Sequence, residues 1–131
     1  MALSRRGVVV DTCVLVNVLR GKERPRAILR ELSLRGFVPA VSPVTVAELH
    51  AGLRKGEEQA TEDLLAGFTW LPLTRSIAQK AGEIVAAQRG LGRTRSLDDM
   101  LIAAAAIQHG YRLLTENRKD FDVPEVRLYP D

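Results

Sequence analysis

Six carboxylates stand where an α/β chain would gather a site. Asp11 follows directly on the apolar run Val8-Val9-Val10, and Glu48 sits about a turn and a half past the helix-capping Ser42. Asp98 and Asp99 open a helix capped by Ser96; Glu116 and Asp120 follow a late apolar segment. In open α/β sheets, ligands bind beyond the carboxyl ends of the strands. Each acid has an everyday alternative. Asp11 could simply cap a helix, Asp99 could be the reciprocal partner of Ser96, and Glu48 could be an exposed helix residue. The spacing argues for more. Asp99 shares a helical stripe with Ile102, Ala103, Ala106 and Ile107, and Glu48 neighbours Val44, Leu49 and Gly52. Carboxylates aimed along packed faces are costly unless a cation compensates them. Several of them at one sheet edge repel each other and hold raised pKa values. A hard divalent cation resolves that conflict. Mg²⁺ or Mn²⁺ suits the all-oxygen set, because no Cys/His cluster exists to hold zinc.

The elements that must position these groups alternate between strand and helix. Residues 7–10 read as a buried strand, followed by a helix over 12–20 that Gly21 can end. A second helix is expected from about residue 25 to 35, stopped by Gly36. Residues 37–41 form the next strand, and Ser42 caps a helix with Pro43 in its first position, carrying Val46, Ala47, Leu49 and Leu53. Residues 58–66 are helical, 68–73 are a strand holding Trp70 in the core, and 76–89 are helical again. The helix over 97–109 is apolar almost all round and therefore central. Residues 111–115 and 126–129 supply the last strands. The expected fold class is α/β, a three-layer α/β/α arrangement around a mostly parallel sheet of about five strands. One domain is expected over residues 1–131.

Composition narrows the function only slightly. The 46% hydrophobic content is enough for a core without staples. The net charge of +3, mostly from arginine, is a weak pointer to a polyanionic partner and equally suits a plain soluble surface. A single cysteine, Cys13, rules out an internal disulfide and suits a reducing cytoplasm. No apolar run approaches the roughly 18 residues of a membrane span, and residues 1–6 are too short and too charged for a signal peptide.

Four segments together resemble one family. Val8-Val9-Val10-Asp11-Thr12 resembles the opening of PIN domains, and Ser42-Pro43-Val44-Thr45-Val46-Ala47-Glu48-Leu49 their second motif. Leu97-Asp98-Asp99-Met100-Leu101-Ile102-Ala103-Ala104 resembles the third motif, and Leu113-Leu114-Thr115-Glu116-Asn117-Arg118-Lys119-Asp120-Phe121 the fourth. The four occur in the family's order and cover nearly the whole chain, whose length resembles that of the VapC-type toxins of toxin–antitoxin pairs. Cys13 stands where Ser or Asn is more usual, a departure expected to affect packing more than chemistry.

The resemblance implies an endoribonuclease that hydrolyses single-stranded RNA with Mg²⁺ or Mn²⁺, leaving 5′-phosphate and 3′-hydroxyl ends. Asp11, Glu48 and Asp99 match the family's metal-binding acids. The spacing to Ile102, Ala103 and Ala104 selects Asp99 over Asp98. The fourth acid is open among Asp98, Glu116 and Asp120. Some members carry it where this chain has Asn117, and Asp120 is the nearer carboxylate. Asp11 and Asp99 are expected as direct ligands, with Glu48 and Asp120 acting through water. Thr12, Thr115 and Asn117 are candidates to steady the ligands by hydrogen bonds, or to serve only as turn and cap residues. Arg89, Arg93 and Arg95, in a glycine-punctuated loop leading to Asp99, could clamp RNA phosphates or simply be solvated. His50 and His109 are expected to be structural. The resemblance also implies a protein antitoxin on an apolar groove, to which Val14, Val18, Leu19 and Ile28 could contribute, and a homodimer. A binding module on the same fold remains the competing reading. A receiver-type domain lacks its strand-end Lys here, and a phosphatase of the Asp-x-Asp kind fails at Cys13.

Overall fold

The computed structural model describes residues 6–130. At its centre is β1 (Gly7–Val10), whose four residues are all buried. A β-branched run with no polar residue suits a strand covered on both faces. At Gly7 a Cβ would lie 2.3 Å from the Tyr111 ring, so any larger residue there requires that ring to move.

Around β1 the chain lays down α1 (Thr12–Leu19), α2 (Glu23–Leu34), β2 (Val38–Val41), α3 (Pro43–Ala51), α4 (Glu58–Ala66) and β3 (Thr69–Trp70). It continues through α5 (Arg75–Gly90), α6 (Leu97–His109), β4 (Arg112–Leu114), a 3₁₀ turn (Arg118–Phe121) and β5 (Leu128–Tyr129). The strands lie in the order β3-β2-β1-β4-β5, and every neighbouring pair is parallel.

Alternation along β1 separates two cores. Val8 and Val10 face a cluster built from α1 to α4, with Leu15, Leu32, Leu49 and Leu65. Val9 faces the other side, where Ile77, Ala81, Met100, Ile102 and Ala103 come from α5 and α6. This is the expected three-layer α/β/α fold. Gly110 ends α6 in the left-handed conformation at φ 70°, where a Cβ is disfavoured.

Several boundaries differ from the sequence-based expectation. The second helix begins at Glu23 rather than near residue 25, and Leu53 lies beyond the end of α3. The third strand shrinks to two residues, because its partner β2 ends at Val41, where Ser42 turns the chain into α3. Trp70 is therefore on an edge and 54% exposed rather than core, with its indole N–H donating to the Leu65 carbonyl. No helix among the described residues is long and apolar enough to cross a membrane.

Candidate active site

From β1 the chain moves outward through β2 to β3, then returns through α5 and α6 to lay β4 on the other side of β1. Such a switch point opens a crevice at the carboxyl ends of the two diverging strands. Asp11 occupies it. Its backbone N–H donates to the Leu114 carbonyl at 2.9 Å, so the end of β1 is locked to the end of β4.

The Asp11 side chain is 4% exposed and well supplied with donors. Oδ1 accepts from the Thr12 backbone N–H at 2.8 Å, the capping bond that starts α1. Oδ2 accepts from the Thr115 hydroxyl at 2.8 Å and from the Cys13 thiol at 3.2 Å. Thr115 in turn accepts from the Asn117 backbone N–H at 3.0 Å. Asn117 therefore supports the site through its backbone. Burial and the Asp11 charge push the Cys13 thiol up to about 11, which keeps it a protonated donor at neutral pH. The thiol thus touches the carboxylate itself, beyond the packing role expected of it.

Glu48 approaches from α3. Ser42 starts that helix, its hydroxyl accepting from the Val44 N–H at 3.1 Å. The Thr12 hydroxyl donates to Glu48 Oε1 at 2.6 Å and lies 3.0 Å from the Thr45 hydroxyl. Thr45, fully buried, did not figure among the sequence candidates. Its signal was its place one helical turn before Glu48.

Asp99 stands in the first turn of α6, where its backbone N–H donates to the capping Ser96 hydroxyl at 3.3 Å. Its half-buried carboxylate receives no hydrogen bond among the described residues. The carboxyl is raised from 3.8 to about 6, first by burial and then by the negative charges of Asp11, Asp120, Glu48 and Asp98, in that order. Acids distant in sequence thus converge electrostatically on Asp99. Asp120, exposed on the 3₁₀ turn, belongs to that group. Glu116 does not contribute to the shift; its carboxylate instead accepts from the Asn17 side chain, a contact the sequence did not suggest.

The basic loop is not a cluster of free cations. Arg95 donates from Nε to the Gln88 side chain at 3.0 Å, and from its two terminal nitrogens to the Lys119 and Asp122 carbonyls at 2.7 and 2.9 Å. It ties the turn bearing Asp120 to the end of α5 beside the start of α6. Arg89 and Arg93 are exposed, and neither side chain contacts an acidic residue of the site. His50 Nδ1 pairs with the Val46 carbonyl and His109 Nδ1 with that of Ala105, in keeping with structural roles.

Among the described residues, no three His, Cys, Asp or Glu side chains close tightly enough to ring one metal ion. A partly hydrated cation needs no such ring, since Mg²⁺ keeps several waters and takes only one or two carboxylates directly. The oxygen-only donor set and the uncompensated charge around Asp99 fit that kind of ion.

The three-layer α/β/α fold agrees with the comparisons to known proteins. The PIN domain family matches residues 8–125, and the chain belongs to that family. It is 34% identical over 125 residues to Ribonuclease VapC19 of Mycobacterium tuberculosis, covering 94% of each chain. A toxin–antitoxin complex from Klebsiella pneumoniae contains a chain 28% identical to it, with a TM-score of 0.71 over 91% of this chain and 94% of that one. VapBC2 from Rickettsia felis, solved with a DNA fragment from their promoter, shares the fold at a TM-score of 0.81 and 24% identity, over 93% of this chain and 96% of that one.

Proposed function

We propose that this chain is a metal-dependent endoribonuclease that hydrolyses RNA phosphodiester bonds as the toxin of a toxin–antitoxin pair. The observation that carries the reading is the convergence of Asp11, Glu48 and Asp120 on a half-buried Asp99 with a raised pKa. Similarity to a protein named a ribonuclease, and to a chain in a toxin–antitoxin complex, supports the substrate and the partner.

In this reading Asp11 and Asp99 bind Mg²⁺ directly, with Mn²⁺ as an alternative. When bound, such an ion makes water a stronger acid and offsets charge on the phosphodiester. Thr12 and Thr115 hold Glu48 and Asp11 in fixed orientations through their hydroxyl hydrogen bonds. Glu48 and Asp120 would act through water, with Glu48 taking a proton from it. Asp120 is the fourth carboxylate, favoured over Glu116 because its charge acts on Asp99. The partners are RNA, a cognate antitoxin protein and a second copy of the chain, in the cytoplasm.

The test is cleavage of labelled single-stranded RNA by purified chain free of antitoxin, with Mg²⁺ or Mn²⁺, with EDTA, and with Asp99→Asn. Cleavage that needs the metal and drops at least about a thousandfold in the variant is expected. Cleavage that survives both EDTA and the substitution overturns the reading.

A further inference from the structure

Beside the acidic crevice lies a separate cleft of about 370 Å³, between the start of α2 and the ends of β4 and β5. That volume is within the ~300–1,000 Å³ range of sites that take small ligands. Its lining combines two chemistries. Ile28 and Pro130 offer apolar surface, while Arg24 and Arg118 bring positive charge to the rim.

Thr115 also lines it. The hydroxyl that donates to Asp11 therefore stands between this cleft and the acids, and the two spaces share a wall.

The two arginines are not equally committed. Arg118 donates from both terminal nitrogens to the Pro130 carbonyl, at 3.4 and 3.3 Å, and keeps its remaining donors. Arg24 is exposed, and no hydrogen bond or ion pair holds it among the described residues. One carboxylate, Glu116, also lines the cleft, but the Asn17 side chain donates to it. The balance of charge is positive, beside a site whose own charge is negative. A chain of alternating phosphates and flat apolar rings matches that pattern: anions go to guanidinium groups, and rings go to the apolar wall.

We propose that this cleft seats one nucleotide of the RNA strand next to the scissile phosphodiester, with its phosphate on Arg24 and Arg118 and its base against Ile28 and Pro130. The proposal rests on the RNA-cleaving reading above and deepens it, assigning the site a neighbouring subsite that selects single strands. A paired base is stacked within its helix and cannot enter, whereas an unpaired one turns out freely.

The test measures binding apart from chemistry. A fluorescent single-stranded RNA hexamer is titrated onto the full chain in EDTA, and its anisotropy is followed. Arg24→Ala is expected to weaken binding about tenfold, with Arg24→Lys recovering part of the loss. Arg26→Ala removes an equal charge from the same helix, but two residues along and outside the cleft lining, so its effect is expected to stay below about twofold. An abasic residue moved along the hexamer is expected to cost about tenfold at one position and little elsewhere. Equal losses for Arg24→Ala and Arg26→Ala, or none for either, overturn the proposal, as does indifference to the abasic position. If Arg24→Ala spares RNA affinity and instead weakens capture of an acidic helical peptide, the cleft belongs to a protein partner and the proposal fails. Binding is read without cleavage, so an inactive chain still reports on the cleft. Metal-dependent cleavage that ignores Arg24 leaves the ribonuclease reading standing and removes the subsite.

Discussion

The two sides of the acidic crevice are built on opposite principles. On the β1 side every carboxylate meets donors: Asp11 has a backbone N–H, a hydroxyl and a thiol, and Glu48 has the Thr12 hydroxyl. On the α6 side Asp99 meets none and feels four other negative charges. The β1 side is settled whether or not a cation is present. The α6 side carries the electrostatic cost, and a cation would relieve it. In the metal-dependent reading proposed above, the difference teaches where affinity for a metal would come from: one side would supply geometry and the other the drive.

The β1 side is most severely tested by Thr115→Val. The change leaves buried Asp11 short of a donor and the Asn117 N–H without its acceptor. A stability loss of about 1–3 kcal/mol is expected in urea unfolding. Metal affinity, read by Mg²⁺ or Mn²⁺ titration, is expected to fall about ten- to a hundredfold. Unchanged affinity would mean that the hydroxyl does not set the geometry.

The link between the two sides is Arg95. Arg95→Ala frees the turn that carries Asp120 and is expected to lower kcat about tenfold, with the KM for RNA nearly unchanged. A rise in KM alone would restore this arginine to the role of a phosphate contact.

The α6 side predicts a pH effect of definite sign. A carboxyl raised from 3.8 to about 6 holds its proton more tightly in the folded state. Its favourable contribution is full below about pH 4 and is lost as pH rises through about 6. Asp99→Asn removes that loss, so in EDTA at pH 7.5 its Tm should exceed the parent's by about 2–4 °C, the exposed half of the group being screened by solvent. The gap should narrow by about half at pH 5 and close below about pH 4, and the parent's metal affinity should climb as pH rises from about 5 to 7.5. A gap independent of pH would contradict the assignment.

The smallest effect is expected at Cys13. With its thiol pushed up to about 11, alkylation at pH 8 should be far slower than for an unperturbed cysteine. Cys13→Ser, which keeps a donor to Asp11, should leave cleavage within about twofold. Rapid labelling would show that the thiol does not donate to Asp11.

Local signals made much of the arrangement legible in the sequence. Three valines followed by Asp11 announced a buried strand ending at a cap, and Ser42-Pro43 marked a helix start. Residues 58–66 and 97–109 are bounded as the sequence indicated, the first ending at Gly67 and the second running from the Ser96 cap to Gly110. Trp70 was misplaced because strand length depends on a partner, and β2 had already turned into α3. The anchoring of Arg95 was not legible for the same kind of reason, since its acceptors Lys119 and Asp122 are 24 and 27 residues away. Side-chain spacing along one helix also could not show that Thr12 would meet Glu48, 36 residues on.

Thr115 reaches Asp11 across 104 positions of chain, and β4 must lie against β1 before it can. That separation acts as a clock. While the polypeptide is being synthesised, Asp11 emerges well before Asp99, and Thr115, whose hydroxyl donates to Asp11, comes later still. The acids stay apart until then, and the crevice forms only when residues 112–115 have emerged and docked. Any protein that must restrain this chain is given that interval in which to find it.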